Sequence, residues 1–330
     1  MILSISRRTD IPAFYSEWLM RRLRQGEVLV RNPINYHQVG RIFLDPRNTT
    51  CLVFWSKNPE PLLRQLSEID ALGYRSFFLF TLNAYGEDVE VHLPPLSQRL
   101  DTFRRLARVI GKEGVTWRYD PIFCTRRYTL DFHRRAFASL AASLDGYTER
   151  CIVSFIEMYK KCRRNMATLT PGDISLEDRL KLLRDLGDIA ENHQIRLQSC
   201  AATEELRSVI APGKCIDGEL LARRFGTRLK VAKDRHQRSA CGCNTSIDIG
   251  AYHSCPHGCL YCYANHNFGR AQDNFTAHNP DSPLLLGYLG DRDRVKDRTI
   301  SSISRGQSVL FQSDEERSRP RRVSVAPKVE

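Results

Sequence analysis

Short, wholly apolar runs alternate along the chain with longer segments in which apolar residues recur every three or four positions. Cys51–Trp55, Phe77–Thr81, Val115–Arg118, Ile152–Phe155 and Ile195–Gln198 read as strands. Helices are predicted between them, over about 59–72, 96–110, 130–144 and 176–190. Upstream, Ile2–Ser6 is an opening strand. Asp10 or Thr9 caps a helix carrying Phe14, Trp18, Leu19 and Leu23, which Gly26 stops. Residues 27–45 break this rhythm and read as an inserted hairpin, with Val28–Val30 and Gly40–Leu44 as its arms. Downstream, a short helix over about 219–225 precedes a last strand, Ile247–Ile249. Repeated strand–helix alternation with non-alternating apolar strands predicts an α/β fold built on a parallel sheet. The expected form is a partial or full TIM-type (β/α) barrel.

Strand after strand runs into polar residues: Arg7 and Arg8, Lys57 and Asn58, Asn83, Arg118 and Asp120, Glu157 and Tyr159, Cys200. In such a barrel the C-terminal strand ends share one mouth, where active sites sit. Any one of these residues is as readily a helix cap or a loop hydrogen bond; their coincidence across six strands is the signal. Lys57, Arg118, Asp120 and Glu157 are therefore candidates for catalytic contacts. Arg7, Arg8, Asn83 and Tyr261 are candidates for cofactor contacts.

The last strand runs into Cys255-Pro-His-Gly-Cys259-Leu-Tyr-Cys262-Tyr-Ala-Asn265. Three thiolates on one loop hold three irons of a cubane cluster and leave the fourth open; a zinc site or an inert cluster is the plainer alternative. The spacing and the aromatic Tyr261 resemble the cluster loop of radical S-adenosylmethionine enzymes, whose signature is Cys-x3-Cys-x-aromatic-Cys. The wording is most similar to the branch that includes spore photoproduct lyase. That resemblance implies a [4Fe-4S] cluster on Cys255, Cys259 and Cys262, with S-adenosylmethionine chelated at the open iron. It also implies a 5′-deoxyadenosyl radical produced by reductive cleavage, and a reductant such as flavodoxin or ferredoxin. In those enzymes the loop follows the first strand; here it follows the last. The resemblance thus implies a circular permutation, with Ile247–Ile249 in the place of the first strand and Ile2–Ser6 in that of the second.

Composition adds three points. The chain of 330 residues has 42% hydrophobic and 27% charged residues, as globular proteins do. Its start, Met1–Asp10, has no basic region followed by a long apolar run, and no apolar run reaches membrane-spanning length, so a cytoplasmic protein without membrane contact is expected. Eleven cysteines then suit metal better than disulfides. The net charge of +12 suits a polyanion such as nucleic acid, or else only a solvated basic surface. Cys200, Cys215, Cys241 and Cys243 form a second candidate set, for an auxiliary cluster, a tetrahedral zinc, or simply buried thiols. Cys51, Cys124, Cys151 and Cys162 read as strand, loop and surface residues, and Trp55 and Trp117 as core residues more than stacking platforms. The barrel is expected over 1–270, an extension packing on it over 271–312, and a disordered tail over 313–330.

Several segments together resemble a bacterial family catalogued as domain of unknown function 1848: Ser4–Pro12, Val30–Pro33, Phe54–Pro59, Trp117–Ile122, Cys215–Asp217, Asp234–Arg238 and Cys241–Asn265. The resemblance covers about residues 1–312 and implies a fold and a cysteine cluster, with no substrate. The function expected is thus an iron–sulfur enzyme of radical S-adenosylmethionine type. The alternatives are a radical enzyme that repairs or modifies nucleic acid, and a non-catalytic iron–sulfur or zinc-binding protein.

Overall fold

The apolar runs become strands because nothing in them asks for water. In the computed structural model, which describes residues 1–298 other than 228, 230 and 266, the strands are β1 (Ile2–Ile5), β2 (Glu27–Arg31), β3 (Gln38–Phe43), β4 (Cys51–Ser56), β5 (Ser76–Thr81), β6 (Val115–Ile122), β7 (Arg150–Phe155), β8 (Arg196–Cys200), β9 (Ala211–Gly213), β10 (Ile247–Asp248) and β11 (Arg294–Asp297). Eight of them form one sheet in the order β10-β1-β4-β5-β6-β7-β8-β9. Every neighbouring pair in it is parallel. The expected α/β architecture with helical crossovers is what the chain adopts. Its last long-range strand, β10, lies beside its first, with Leu3 opposite Ile247.

Alternate residues of each strand part to the two faces. Leu52, Phe54, Phe78 and Phe80 join the cluster that the helices cover with Trp18, Leu106, Phe137 and Leu183. Cys51, Val53, Phe77 and Leu79 join a second buried cluster under the short helix Gly218–Arg224. Burial on both faces is why these runs carry no polar alternation. Each large side chain so buried contributes about 1.5–3 kcal/mol. Phe54 and Phe78 also stack across neighbouring strands with centroids 4.5 Å apart.

The hairpin expected over 27–45 is present: β2 and β3 pair antiparallel, with Val28 opposite Ile42. β11 adds to it in parallel. The helices differ in detail. The segment read as one helix over 59–72 is two, Glu60–Leu63 and Leu66–Ala71, because Gln65 N–H turns back to the Leu62 carbonyl at 2.9 Å. The first helix is likewise broken at Tyr15, after Ile11–Phe14 and before Ser16–Gln25. Beyond the cysteine loop, Leu284 and Leu285 are buried. Trp18 Nε1 donates to the Ser282 carbonyl at 2.9 Å, so this stretch packs back on the first helices. The proposed tail over 313–330 and the last part of the 271–312 extension lie outside the described residues. Among the described residues no helix is long and apolar enough to cross a membrane.

Candidate metal and cofactor site

Because the sheet is parallel, the C-terminal ends of its strands share one side, and the residues that follow them meet there. Two buried carboxylates organise that side. The first is Asp10, just past β1. It caps the Ile11–Phe14 helix by accepting from Ala13 N–H at 3.1 Å. It also accepts from Ser56 Oγ (2.7 Å) and Lys57 N–H (2.7 Å) at the end of β4. His257 Nε2, in the cysteine loop, sits 2.8 Å from it. One side chain thus fastens three chain segments. Burial alone would raise its pKa, but the hydrogen bond and charge of His257, with the Lys57 and Ser56 donors, hold it below the usual carboxylate value.

The second carboxylate is Glu90, which is 2% exposed and sits in the loop after β5. Lys57 Nζ lies 2.8 Å from it and Arg99 Nη1 3.1 Å. Asn83 Nδ2 donates to it at 3.3 Å, and the Tyr261 hydroxyl makes a short bond to it. Burial works to raise its pKa, and the Lys57 and Arg99 charges, with the Lys57 and Tyr261 hydrogen bonds, outweigh that and lower it. The same loop pairs with the cysteines by backbone: Glu90 and Cys259 form a β-bridge, and Leu260 N–H donates to the Val89 carbonyl at 3.0 Å.

The cysteine loop itself is tightly turned. Cys262 N–H returns to the Cys259 carbonyl at 3.0 Å. Asn265 Nδ2 donates to the Cys255 carbonyl at 2.6 Å. Upstream, Gly250 passes so close to β1 that a Cβ there would stand 2.0 Å from Ser6 Oγ, so only glycine fits. Asp248, at the end of β10, accepts from Ser4 Oγ (2.9 Å), Ser6 Oγ (2.7 Å), Arg7 N–H (2.8 Å) and Gly250 N–H (3.0 Å), locking the loop's root to β1.

Burial raises the pKa of all three loop thiols, to about 12 at Cys259. Lys57 opposes this at Cys259 and Cys262. The backbone of His257 opposes it at Cys255, and that of Ala264 and Asn265 at Cys262. The soft all-thiol donor set suits a thiolate-bound iron cluster. Among the described residues no group of three or more His, Cys, Asp or Glu side chains is placed to hold a metal ion as it stands. A cubane spaces its thiolates much more widely than a single ion does. Donor chemistry and the spacing of the three thiols fit a cluster on this loop.

The other expected site residues fall as follows. Lys57 is the ion-pair partner of Glu90, with Nζ 5.1 Å above the Tyr261 ring. Arg118 pairs with Asp120 at 2.6 Å and bonds Thr81 Oγ1 at 3.1 Å. Asp120 also takes a short bond from Ser154 Oγ. Arg7 and Arg118 both lie over the Trp55 ring, 5.4 and 5.0 Å from its centroid. Trp55 is half-buried, packed against the second buried cluster as well as facing these arginines, whereas Trp117 is fully buried and donates to the Leu82 carbonyl at 2.9 Å. Arg8 reaches toward the Gly250 carbonyl (3.4 Å) and the Tyr252 ring (5.1 Å). Asn83 and Tyr261 are consumed by the Glu90 network, and Asn83 also grips the Asp120 backbone, Nδ2 donating to its carbonyl at 2.9 Å and Oδ1 accepting from its N–H at 3.0 Å. Glu157 lies exposed, bonded to Arg238 at 2.9 Å and Tyr159 at 3.0 Å, apart from these contacts.

Cys162, expected at the surface, is 1% exposed, because the helix Lys160–Asn165 turns it under Tyr261, whose carbonyl its thiol meets at 3.2 Å. Cys200, Cys215, Cys241 and Cys243 are all buried and converge in one place. Sequence reasoning missed Glu90 and Asp248 altogether. Asp10 is noticed there only as a cap, and His257 only as part of the cysteine loop. Glu90 carries no pattern in its loop; Asp248 sits in the short strand before the cysteines, the one signal that could have marked it.

Among protein families, the one described as "Domain of unknown function (DUF1848)" matches residues 2–264. No curated protein matches the chain.

Proposed function

This chain belongs to the DUF1848 family, and from that premise we propose that it is an iron–sulfur enzyme of radical S-adenosylmethionine type. Cys255, Cys259 and Cys262 would hold a [4Fe-4S] cluster. When bound, that cluster with S-adenosylmethionine supplies one-electron reductive cleavage and hence hydrogen abstraction from a substrate. The observation that carries the reading is the clamped loop. Three thiols at this spacing stand where the ends of a parallel sheet converge.

The chain's own residues have definable parts in this reading. Asp10 and Glu90 fix the loop from two sides through His257 and Tyr261. Lys57 offsets the negative charge that thiolates bring. Arg7, Arg118 and the Trp55 face between them offer an anionic group and a planar ring a place to bind. In the same reading the sheet is a partial (β/α) barrel, permuted so that the loop-bearing strand comes last and pairs with β1, and the protein works in the cytoplasm with a small electron donor.

The test is electron paramagnetic resonance of anaerobically reconstituted, reduced protein. The expected result is a cluster signal that changes when S-adenosylmethionine is added. A signal indifferent to it would sink the radical reading and leave a non-catalytic cluster.

A second reading, in which the substrate is nucleic acid, is favoured by the charge of +12. It is also favoured by the exposed basic helix Lys160–Asn165, which follows β7 on the side of the cysteine loop. Here RNA or DNA should bind with an affinity that falls steeply between about 50 and 200 mM salt. Binding that ignores salt would count against it.

A further inference from the structure

The second set of cysteines lies on the opposite face of the sheet from most of the helices. Cys200 ends β8, opposite Gly213 in β9. Cys215 follows two residues after β9, and Cys241 and Cys243 come from the stretch before β10. They are 9%, 3%, 5% and 3% exposed. The Cys200 thiol is in side-chain contact with each of the other three, all within one buried cluster. Cys243 is in the same contact with Cys215 and Cys241. Backbone bonds fix the arrangement: Asn244 N–H to the Ile216 carbonyl at 2.9 Å, and Asp234 N–H to the Cys243 carbonyl at 2.8 Å.

Two further observations bear on what these thiols do. Residues 227–246 contain, among those described, no helix or strand beyond one isolated bridge, Lys233 to Asn244. Loops of that length inside a folded domain are uncommon and call for something that holds them. Buried guanidinium groups also flank the cluster. Arg118 acts on Cys215 and Cys200, and Arg150 on Cys215 and Cys243, while Arg118 Nε and Arg150 Nη1 have no hydrogen-bond partner. Both arginines are only partly neutralised, by Asp120 at 2.6 Å and Asp217 at 3.7 Å. Unspent positive charge around four sulfurs suits a doubly negative tetrathiolate–metal unit.

We propose that Cys200, Cys215, Cys241 and Cys243 form a structural site for a single tetrahedral zinc ion that staples residues 214–246 onto the sheet. Among the described residues no three such side chains yet stand around one point as a bound ion requires; zinc binding draws the four clustered thiols in and replaces their protons, four thiols giving up four protons to one divalent ion. Proximity in one cluster favours the ion over a cubane. Bonds of about 2.3 Å set tetrahedral sulfurs ~3.8 Å apart, a short move for thiols already buried in one cluster, whereas a cubane would force them well apart. No position is left open for a substrate, as in structural sites. This site is independent of the radical reading.

The test uses the full chain with Cys255→Ala, Cys259→Ala and Cys262→Ala combined, so that the loop retains no metal. The expected result is about one zinc per chain, lost on adding Cys243→Ser. Cobalt(II) in place of zinc should give the intense visible bands and near-ultraviolet sulfur-to-metal charge transfer of a tetrahedral tetrathiolate. Chelation should open the exposed Arg235 to trypsin. If Cys243→Ser does not fold, the cobalt spectrum of the loop variant decides alone. Failure to take up zinc or cobalt would overturn the proposal, and so would iron with sulfide retained by the four thiols.

Discussion

If the proposed function holds, replacing Cys255, Cys259 or Cys262 singly with alanine is expected to abolish iron retention at the loop and to reduce S-adenosylmethionine cleavage to background. The loss should be complete for each of the three, because a cluster with three protein ligands has none to spare. The fold should survive. The loop does not depend on its sulfurs for shape: the Asp10–His257 contact at 2.8 Å, the Glu90–Cys259 bridge and the Asn265–Cys255 backbone bond all remain in each variant. Loss of one sulfur should cost about 1 kcal/mol, near the middle of the range for point substitutions. The measurement is iron and sulfide content beside thermal melting and 5′-deoxyadenosine formation. Iron retained at parental levels in Cys259→Ala would place the metal elsewhere. An unfolded variant would show that the thiols hold the loop, and Cys259→Ser would then separate ligation from packing.

That this loop could be found from sequence alone, while the residues that hold it could not, has a physical reason. A ligand spacing is local: Cys255, Cys259 and Cys262 must sit on one loop, and the chain writes their distance directly. The apolar strands were equally legible, because β4, β5, β6 and β7 are buried on both faces and tolerate few polar residues. β9 was invisible because Ala211-Pro-Gly213 has neither length nor β-propensity and pairs only by lying beside β8. The helix Lys160–Asn165 was missed because it has one buried residue, Cys162. The pairing of β10 with β1 follows from strand order only once the sheet is known to be parallel. The convergence of Cys200 with Cys215, Cys241 and Cys243 needs the fold outright, since they come from three separate stretches.

Glu90→Ala is expected to destabilise the protein by about 3–5 kcal/mol, the cost of stranding a buried charge when its partner is removed. Glu90 is 2% exposed and Arg99 3%, and Lys57 lies 2.8 Å from the carboxylate. Deleting the carboxylate leaves two cations with little water to replace it. Arg99 keeps only the Pro94 carbonyl, at 3.0 Å. The Tyr261 hydroxyl and Asn83 Nδ2 lose an acceptor as well. Such a loss is a large part of the roughly 5–15 kcal/mol that separates folded from unfolded chains. Glu90→Gln keeps the shape and an acceptor oxygen, so it should cost less, and the difference between the two variants isolates charge from packing. The pH dependence gives an independent check. The folded pKa of Glu90 lies below its ordinary value, so its contribution is fully present above the unfolded pKa of about 4.3. It is lost as pH falls through the folded pKa. Urea unfolding of the parent should therefore shift to lower denaturant on the acid side, with Asp10, lowered likewise, adding to the slope. Glu90→Gln should flatten that limb while lowering stability at neutral pH. An acid limb that superimposes on the parent's would show that Glu90 is already neutral in the folded protein, and that Lys57 and Arg99 are compensated by some other group.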